Sequence, residues 1–204
     1  MNNDKPCTTI LQTNVSIFQN AALFHYYLSY VNQERRCDIE QKHVAEDRHL
    51  SLGGGLLLDQ LLADWNIHSQ IVHNHQGKPL VYLHPHVYVS LTHAYPYAAA
   101  MISHAPCGLD IERQDRDLEA VARRYYNEQE KQYAGNDQNR LTNIWCRKEC
   151  YIKTYGPRDV RLIDTFSIPA DYEYLSLPLP GYSFEILKKK GPYQFRQHFL
   201  SAKP

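Results

Sequence analysis

The sequence has no excess of either charge: of 204 residues, 22 are Lys or Arg and 22 are Asp or Glu. That balance removes the basic surplus with which a duplex nucleic-acid binder or a polybasic membrane anchor meets its partner. No run approaches the roughly 18 apolar residues a membrane span needs. The opening MNNDKPCTTI lacks the charged-then-apolar pattern of a secretory leader. The expectation is a cytoplasmic protein that meets neither nucleic acid nor membrane. The five cysteines, Cys7, Cys37, Cys107, Cys146 and Cys150, are odd in number and include no Cys-x-x-Cys pair. This disfavours a disulfide framework or a structural zinc site and predicts reduced, buried thiols. Low-complexity segments and short repeats are also missing. The pairs His73/His75 and His84/His86 have no neighbouring acid or cysteine to complete a Zn²⁺ or Cu²⁺ site, and read as loop and edge-strand histidines.

What is present is an ordinary globular composition, 43% apolar and 22% charged, with 16 Tyr and 11 His. The length suffices for one large domain or two small ones. Thr8–Thr13 reads as a strand. Ser16–Val31 reads as a helix with Phe18, Ala22, Phe24, Leu28 and Val31 near one face. Gln33 to Asp64 is polar first and apolar later, with Ser51 as a plausible cap before Leu56, Leu57, Leu61 and Leu62. The triplet Gly53-Gly54-Gly55 costs about 1 kcal/mol per residue relative to Ala inside a helix, so it implies close packing or a nearby ligand. After a turn at His73–Pro79 come three predicted strands, Val87–Leu91, Ala98–Ser103 and Gly108–Glu112, with the first two joined at His93–Tyr97. Asp117–Tyr126 reads as a helix. Asn127 with Glu130 forms a capping box, and Arg140–Tyr155 is a helix closed by Gly156-Pro157. Strands are predicted at Thr165–Ile168, Tyr182–Leu187 and Gln194–Leu200. Helices then strands, twice over, predict α+β with two similar halves, 1–106 and 107–204.

Two segments carry chemistry. In Gly108-Leu109-Asp110-Ile111-Glu112, strand alternation puts both carboxylates on one face and the apolar pair on the other. Two such carboxylates repel unless a cation or donors lie between them. Mg²⁺ suits the pair, because it takes one or two carboxylates and completes its shell with water and phosphate oxygens. A solvated strand end with two surface acids would look the same. In Trp145-Cys146-Arg147-Lys148-Glu149-Cys150-Tyr151-Ile152-Lys153, helical spacing stacks Trp145, Glu149 and Lys153. Glu149 could add a third carboxylate and Lys153 could meet an anionic oxygen. A surface Glu–Lys pair is the alternative.

Taken together, the segments read G-[ILV]-D-[IV]-E, a gap of about thirty residues, then W-x-x-K-E-x-x-x-K. This pairing resembles the signature of the 4′-phosphopantetheinyl transferases, in particular the larger, monomeric, surfactin-synthetase-activating type. Further likenesses are Gly77-Lys78-Pro79, the strand end Val89-Ser90-Leu91-Thr92-His93, the segment Tyr125-Tyr126-Asn127-Glu128-Gln129-Glu130, and Leu162–Ser167. The resemblance implies two α+β halves related by a pseudo-two-fold, with coenzyme A between them. It implies transfer of phosphopantetheine from coenzyme A to a serine of an apo acyl or peptidyl carrier protein, with release of adenosine 3′,5′-bisphosphate. By the same resemblance Asp110, Glu112 and Glu149 would hold Mg²⁺. Glu149 would accept the serine proton, Lys153 would stabilise phosphate charge, and Lys148 would do the same or line the site. Thr92, His93, Lys78, Pro79, Arg35 and Arg36 would contact coenzyme A, together with Asp110 and Lys153. Both halves lie in one chain, so a monomer is expected.

The chain departs from the family pattern in places. Leu50 stands where Arg is usual, with Arg48 or His49 as possible substitutes, and Asp38 stands at a usually basic position. Ala94-Tyr95 replaces the Gly after the histidine, and Gly156-Pro157-Arg158 replaces a basic, Gly-containing loop. These changes bear on coenzyme A affinity and carrier choice. They also motivate an alternative, a non-catalytic relative that binds coenzyme A or a carrier protein. Tyr125 and Tyr126 would either dock the carrier or pack in the core.

Overall fold

The computed structural model describes residues 7–156, 159–198 and 200. Pro157 and Arg158, and Phe199 within the expected last strand, lie outside the described residues, as does the opening hexapeptide.

The first strand, β1 (Thr8–Asn14), is buried along all but its last residue, and its β-branched Thr and Ile side chains suit a pleated interior. The single helix predicted over Ser16–Val31 is split in two. A 3-10 turn (Val15–Gln19) is capped by Asn14, and α1 (Ala21–Leu28) is capped by Asn20, whose carboxamide accepts from the Ala22 and Leu23 amides. An Asn at the junction satisfies the orphan donors of a new helix start, so the apolar spacing continues across a break. Helix α2 (Gln33–Glu40) follows. Helix α3 (Ala45–Asp64) starts six residues before the expected Ser51 cap, without a side-chain cap but with Glu46 and Asp47 in its first turn.

The glycine triplet lies inside α3, and each residue has a neighbour where a side chain would be. A Cβ on Gly53 would stand 2.3 Å from Val15 Cγ1, on Gly54 2.9 Å from Leu91 Cδ1, and on Gly55 1.4 Å from Arg35 Nη2. Packing therefore offsets the helix propensity lost there.

A short hairpin, β2 (Ile71–His73) with β3 (Pro79–Val81), flanks the expected turn. Next come β4 (Tyr88–Ala94) and β5 (Tyr97–Ser103), joined at Tyr95-Pro96. Strand β6 (Gly108–Arg113) precedes α4 (Glu119–Tyr125), α5 (Glu128–Ala134) and α6 (Gln138–Tyr155). The capping box at Asn127 and Glu130 has both of its bonds. Strands β7 (Tyr172–Ser176), β8 (Tyr182–Lys189) and β9 (Gln194–Gln197) finish the chain. No strand forms at Thr165–Ile168. There the Thr165 amide and hydroxyl donate to Glu130 at 3.0 and 2.8 Å instead of to a sheet.

The architecture is mixed α and β, with sheets ordered β4-β5-β1-β9, β6-β8-β7 and β2-β3. Helix α3 covers the first sheet, and α6 covers β6 and β8. The expected boundary near residue 106 does not partition the strands cleanly. β9 leaves the C-terminal part and pairs in parallel with β1, Thr9 opposite Gln194.

Candidate functional site

The two larger sheets meet where β4 passes β6, and hydroxyl groups replace a backbone ladder. The Leu109 amide donates to Ser90 Oγ at 3.3 Å and the Ile111 amide to Thr92 Oγ1 at 3.1 Å. Thr92 in turn donates to Asp110 Oδ1 at 3.0 Å. A side-chain hydroxyl both donates and accepts, so one threonine satisfies a strand-edge amide and orients a buried carboxylate. Against the other side of β6 lies α6. Gly108 permits this, since a Cβ there would stand 2.2 Å from the Cys150 carbonyl oxygen.

The close approach brings Lys153 to Asp110. Its ammonium donates to Asp110 Oδ1 at 2.7 Å and to the Leu109 carbonyl at 2.9 Å. Burial works against the Lys153 charge, and Asp110, by its charge and its hydrogen bond, more than offsets that, so the pKa is raised. Glu149 sits one turn earlier on the same face. Burial raises its pKa first and the charge of Asp110 second. Glu112 adds to the rise, while Lys153 and Arg116 oppose it. Glu112 accepts from the Arg113 amide at 3.0 Å and pairs with Arg116. Among the described residues no group of three or more His, Cys, Asp or Glu stands ready to hold a metal ion.

Two cavities open beside this cluster. One of about 660 Å³ runs between α2, α3 and β2, with Arg35, Asp59, Leu91 and His93 among its walls. Burial foremost, then Lys153 and Lys42, hold His93 below its ordinary pKa, against a raising effect of its backbone hydrogen bond and Asp47. The other, about 270 Å³, is lined by Gly77, Lys78, Pro79, Leu91, Ile152 and Lys153. Lys78 donates to the Thr154 carbonyl at 3.3 Å, and burial lowers its pKa.

The structure thus gathers Asp110, Glu112, Glu149, Lys153, Thr92, His93, Lys78, Pro79 and Arg35 around one cluster and its cavities. Three expected residues are not gathered. Lys148 is fully buried on another face of α6, 2.8 Å from Glu130, with the Ile163 carbonyl as a further acceptor. Arg36 donates to the Leu28 carbonyl at 3.1 Å, at the end of α1. Arg48 faces a different cavity, with Phe18, Phe24 and His49, on the far side of α3. Leu50 is a core residue, so no cation could reach the cleft from that position without leaving the core. Thr92 serves the site through Asp110. Tyr126 is buried, with its hydroxyl on the Leu141 carbonyl, and Tyr125 packs beside Trp145. Sequence reasoning missed Asp47, Ser51 and Leu58, which face the larger cavity at helical spacing along α3, and Arg116, four residues after its partner Glu112.

This geometry agrees with similarity to known proteins. Residues 106–198 match the family model of the 4′-phosphopantetheinyl transferase superfamily. The chain is 22% identical to the 4′-phosphopantetheinyl transferase Sfp of Bacillus subtilis over 164 residues, 76% of this chain and 73% of Sfp. It is 29% identical to the 4′-phosphopantetheinyl transferase gsp of Aneurinibacillus migulanus over 143 residues, 66% of this chain and 60% of gsp. With ffp, also of Bacillus subtilis, identity is 21% over 150 residues, 69% of this chain and 67% of that one. The chain is thus similar to 4′-phosphopantetheinyl transferases, most of all in its C-terminal part.

Proposed function

We propose that this protein transfers 4′-phosphopantetheine from coenzyme A to a serine hydroxyl of an apo acyl or peptidyl carrier protein. The serine oxygen forms a bond to the β-phosphorus. The phosphoanhydride bond to the adenosine side breaks, and the serine proton passes to Glu149. The observation that carries this reading is the Asp110–Lys153 pair with a carboxylate of raised pKa one turn away, at the junction of two cavities. Phosphoryl transfer asks for little covalent chemistry from a protein. It asks for an in-line nucleophile and neutralised charge on the moving group. Lys153 is held by Asp110 where such charge would develop. Glu149 has no hydrogen-bond partner among the described residues, which leaves its oxygens open to a hydroxyl.

The donor set suits Mg²⁺. Asp110 and Glu149 are hard oxygen donors, close enough that burial first and the charge of Asp110 second raise the Glu149 pKa, and Mg²⁺ takes one or two carboxylates and leaves the remaining positions to water and phosphate. Asp110 and Glu149 would hold it, with Glu112 in reach once released from Arg116. When bound, it would neutralise the diphosphate and its leaving oxygen. We further read residues 1–106 and 107–204 as halves related by a pseudo-two-fold. In support, α3 lies across the antiparallel β4-β5-β1 and α6 across the antiparallel β6-β8-β7. Both walls of the cleft come from one chain, which supports a monomer.

The test is intact mass of an apo acyl carrier protein after incubation with this protein, coenzyme A and Mg²⁺, with an EDTA control and an Asp110→Ala variant. One added phosphopantetheine, abolished by EDTA and by Asp110→Ala, is the expected result. No gain across fatty-acid, polyketide and peptide carriers would refute the reading in favour of a binding module, and an active Asp110→Ala would refute the metal assignment.

A further inference from the structure

The larger cavity has an unexpected charge. Leu91 lines both cavities, with His93 beside it on the larger one and Lys153 on the smaller, so a ligand whose diphosphate lies at Asp110 and Lys153 can pass His93 into the larger cavity, whose walls then bear on what else that ligand carries. Those walls include four carboxylates, Glu34, Asp38, Asp47 and Asp59, against two permanent cations, Arg35 and Lys42, a formal balance of −2. The arginine is already engaged. Its Nη1 lies 3.5 Å from Asp59 Oδ2, and its guanidinium rests on α3 in the space that the missing Gly55 side chain leaves. Among the described residues Lys42 makes no ion pair, but it stands at the exposed rim. The other described cations of residues 1–106 point elsewhere: Arg36 to the Leu28 carbonyl, Arg48 to the Lys42 carbonyl on the opposite side of α3, and Lys78 to the Thr154 carbonyl beside the smaller cavity. His93 is held below its ordinary pKa, which favours the neutral ring.

A phosphate monoester carries a charge of about −1.5 to −2 near pH 7, and beside carboxylates it meets repulsion as well as a desolvation cost. Sites built for such a group surround it with unengaged Arg or Lys, often as a bidentate fork. This cavity presents its one fork already paired. Neutral partners for a plain ribose are at hand in Ser51 and Gln70.

From this we infer that the cleft does not select for a phosphate on the ribose: it takes the pantetheine adenosine diphosphate ester lacking the 3′-phosphate about as well as coenzyme A. The inference rests on the proposed transfer for the identity of the nucleotide, but the charge distribution that carries it is independent of catalysis. With the unphosphorylated ribose the leaving group is adenosine 5′-monophosphate, and the bonds made and broken at the transferred phosphorus are unchanged.

The experiment has a binding arm and a transfer arm. Calorimetric titration of the full chain in Mg²⁺ buffer compares coenzyme A with 3′-dephospho-coenzyme A, and intact mass of an apo carrier protein gives kcat/KM for each. The expected result is that coenzyme A binds no more than about threefold tighter than the dephospho form. Coenzyme A binding more tightly than that, or neither nucleotide binding, overturns the inference. If binding follows the expectation but neither nucleotide yields a modified carrier, the transfer reading falls and the inference stands. Asp59→Asn releases the Arg35 fork, and Asp38→Lys reverses one wall charge. Each should move the affinity ratio toward coenzyme A by at least about threefold, as charge complementarity requires. An unmoved ratio in both variants overturns the assignment of these carboxylates as its cause.

Discussion

Replacing Lys148 by methionine separates a structural cation from a chemical one. The Lys148 ammonium lies 2.8 Å from Glu130 Oε2, and both side chains are 0% exposed. It also donates to the Ile163 and Val160 carbonyls and lies 5.7 Å from the Tyr126 ring centroid. Glu130 in turn accepts from the Asn127 amide and from both donors of Thr165. The pair thus ties α5, α6 and the segment before β7 together. Methionine fills most of the volume but leaves Glu130 as a buried, uncompensated charge, which costs about 3–5 kcal/mol. In a chain of this size each kcal/mol moves Tm by about 2–4 °C, so Lys148→Met should melt about 6–20 °C lower. Adding Glu130→Gln should return part of that loss by removing the stranded charge. Carrier modification by Lys148→Met, followed by intact mass at a temperature where the variant is folded, should proceed near the parent rate. A variant that melts like the parent yet transfers nothing would refute the reasoning and put this ammonium at the reacting phosphate.

Gly108→Ala should lower the denaturation midpoint by the equivalent of about 1–3 kcal/mol, because its Cβ would meet the Cys150 backbone and only movement of β6 from α6 relieves the clash. Its transfer rate should fall with the shifted Asp110, and an unchanged midpoint would contradict the contact. Iodoacetamide at pH 8 should label Cys37, which is exposed, and spare Cys107, where burial pushes the thiol up to about 12 and leaves almost no thiolate; peptide mapping reads both. His49 packs against Phe18 and Phe24, and burial, then Arg48, lowers its pKa. The unfolded chain therefore binds its proton more readily. The stability this group contributes is present above the unfolded value near 6.5 and is lost as pH falls through the lower folded one. Thermal melts between pH 7.5 and 5 should show a shallower acid-side loss for His49→Phe, and an identical slope would refute that assignment.

Much of the site was legible because it depends on local periodicity. Strand alternation set Asp110 and Glu112 together, and a four-residue step on α6 set Glu149 over Lys153. The same geometry should have separated Lys148 from Lys153, since five residues turn a helix by about 140°. Motif resemblance hid that angle. Leu50 looked like a lost cation until α3 was seen to begin at Ala45, which turns position 50 into the core and positions 47 and 51 toward the cleft. The break at Asn20 was invisible to apolar spacing because the 3-10 turn and α1 bury Phe18 and Phe24 in one cluster. The three-residue strands β2 and β3 carry too few positions to show alternation. The pairing of β9 with β1 depends on residues far apart in sequence, which no local pattern encodes.

That pairing sets a timetable for the ribosome. β1 is made well before its partner β9, which lies about 185 residues downstream, at Gln194 opposite Thr9. At a synthesis rate of about 5–20 residues per second, one hydrogen-bonding edge of β1 waits about 10–40 s for its strand. Until then the nascent sheet shows a bare edge of unpaired backbone groups, the kind of edge on which other chains add. Nascent copies on one polysome would be each other's nearest competitors for it. Slowed translation of the last third, or a stop codon before Gln194, should therefore appear first as insoluble product.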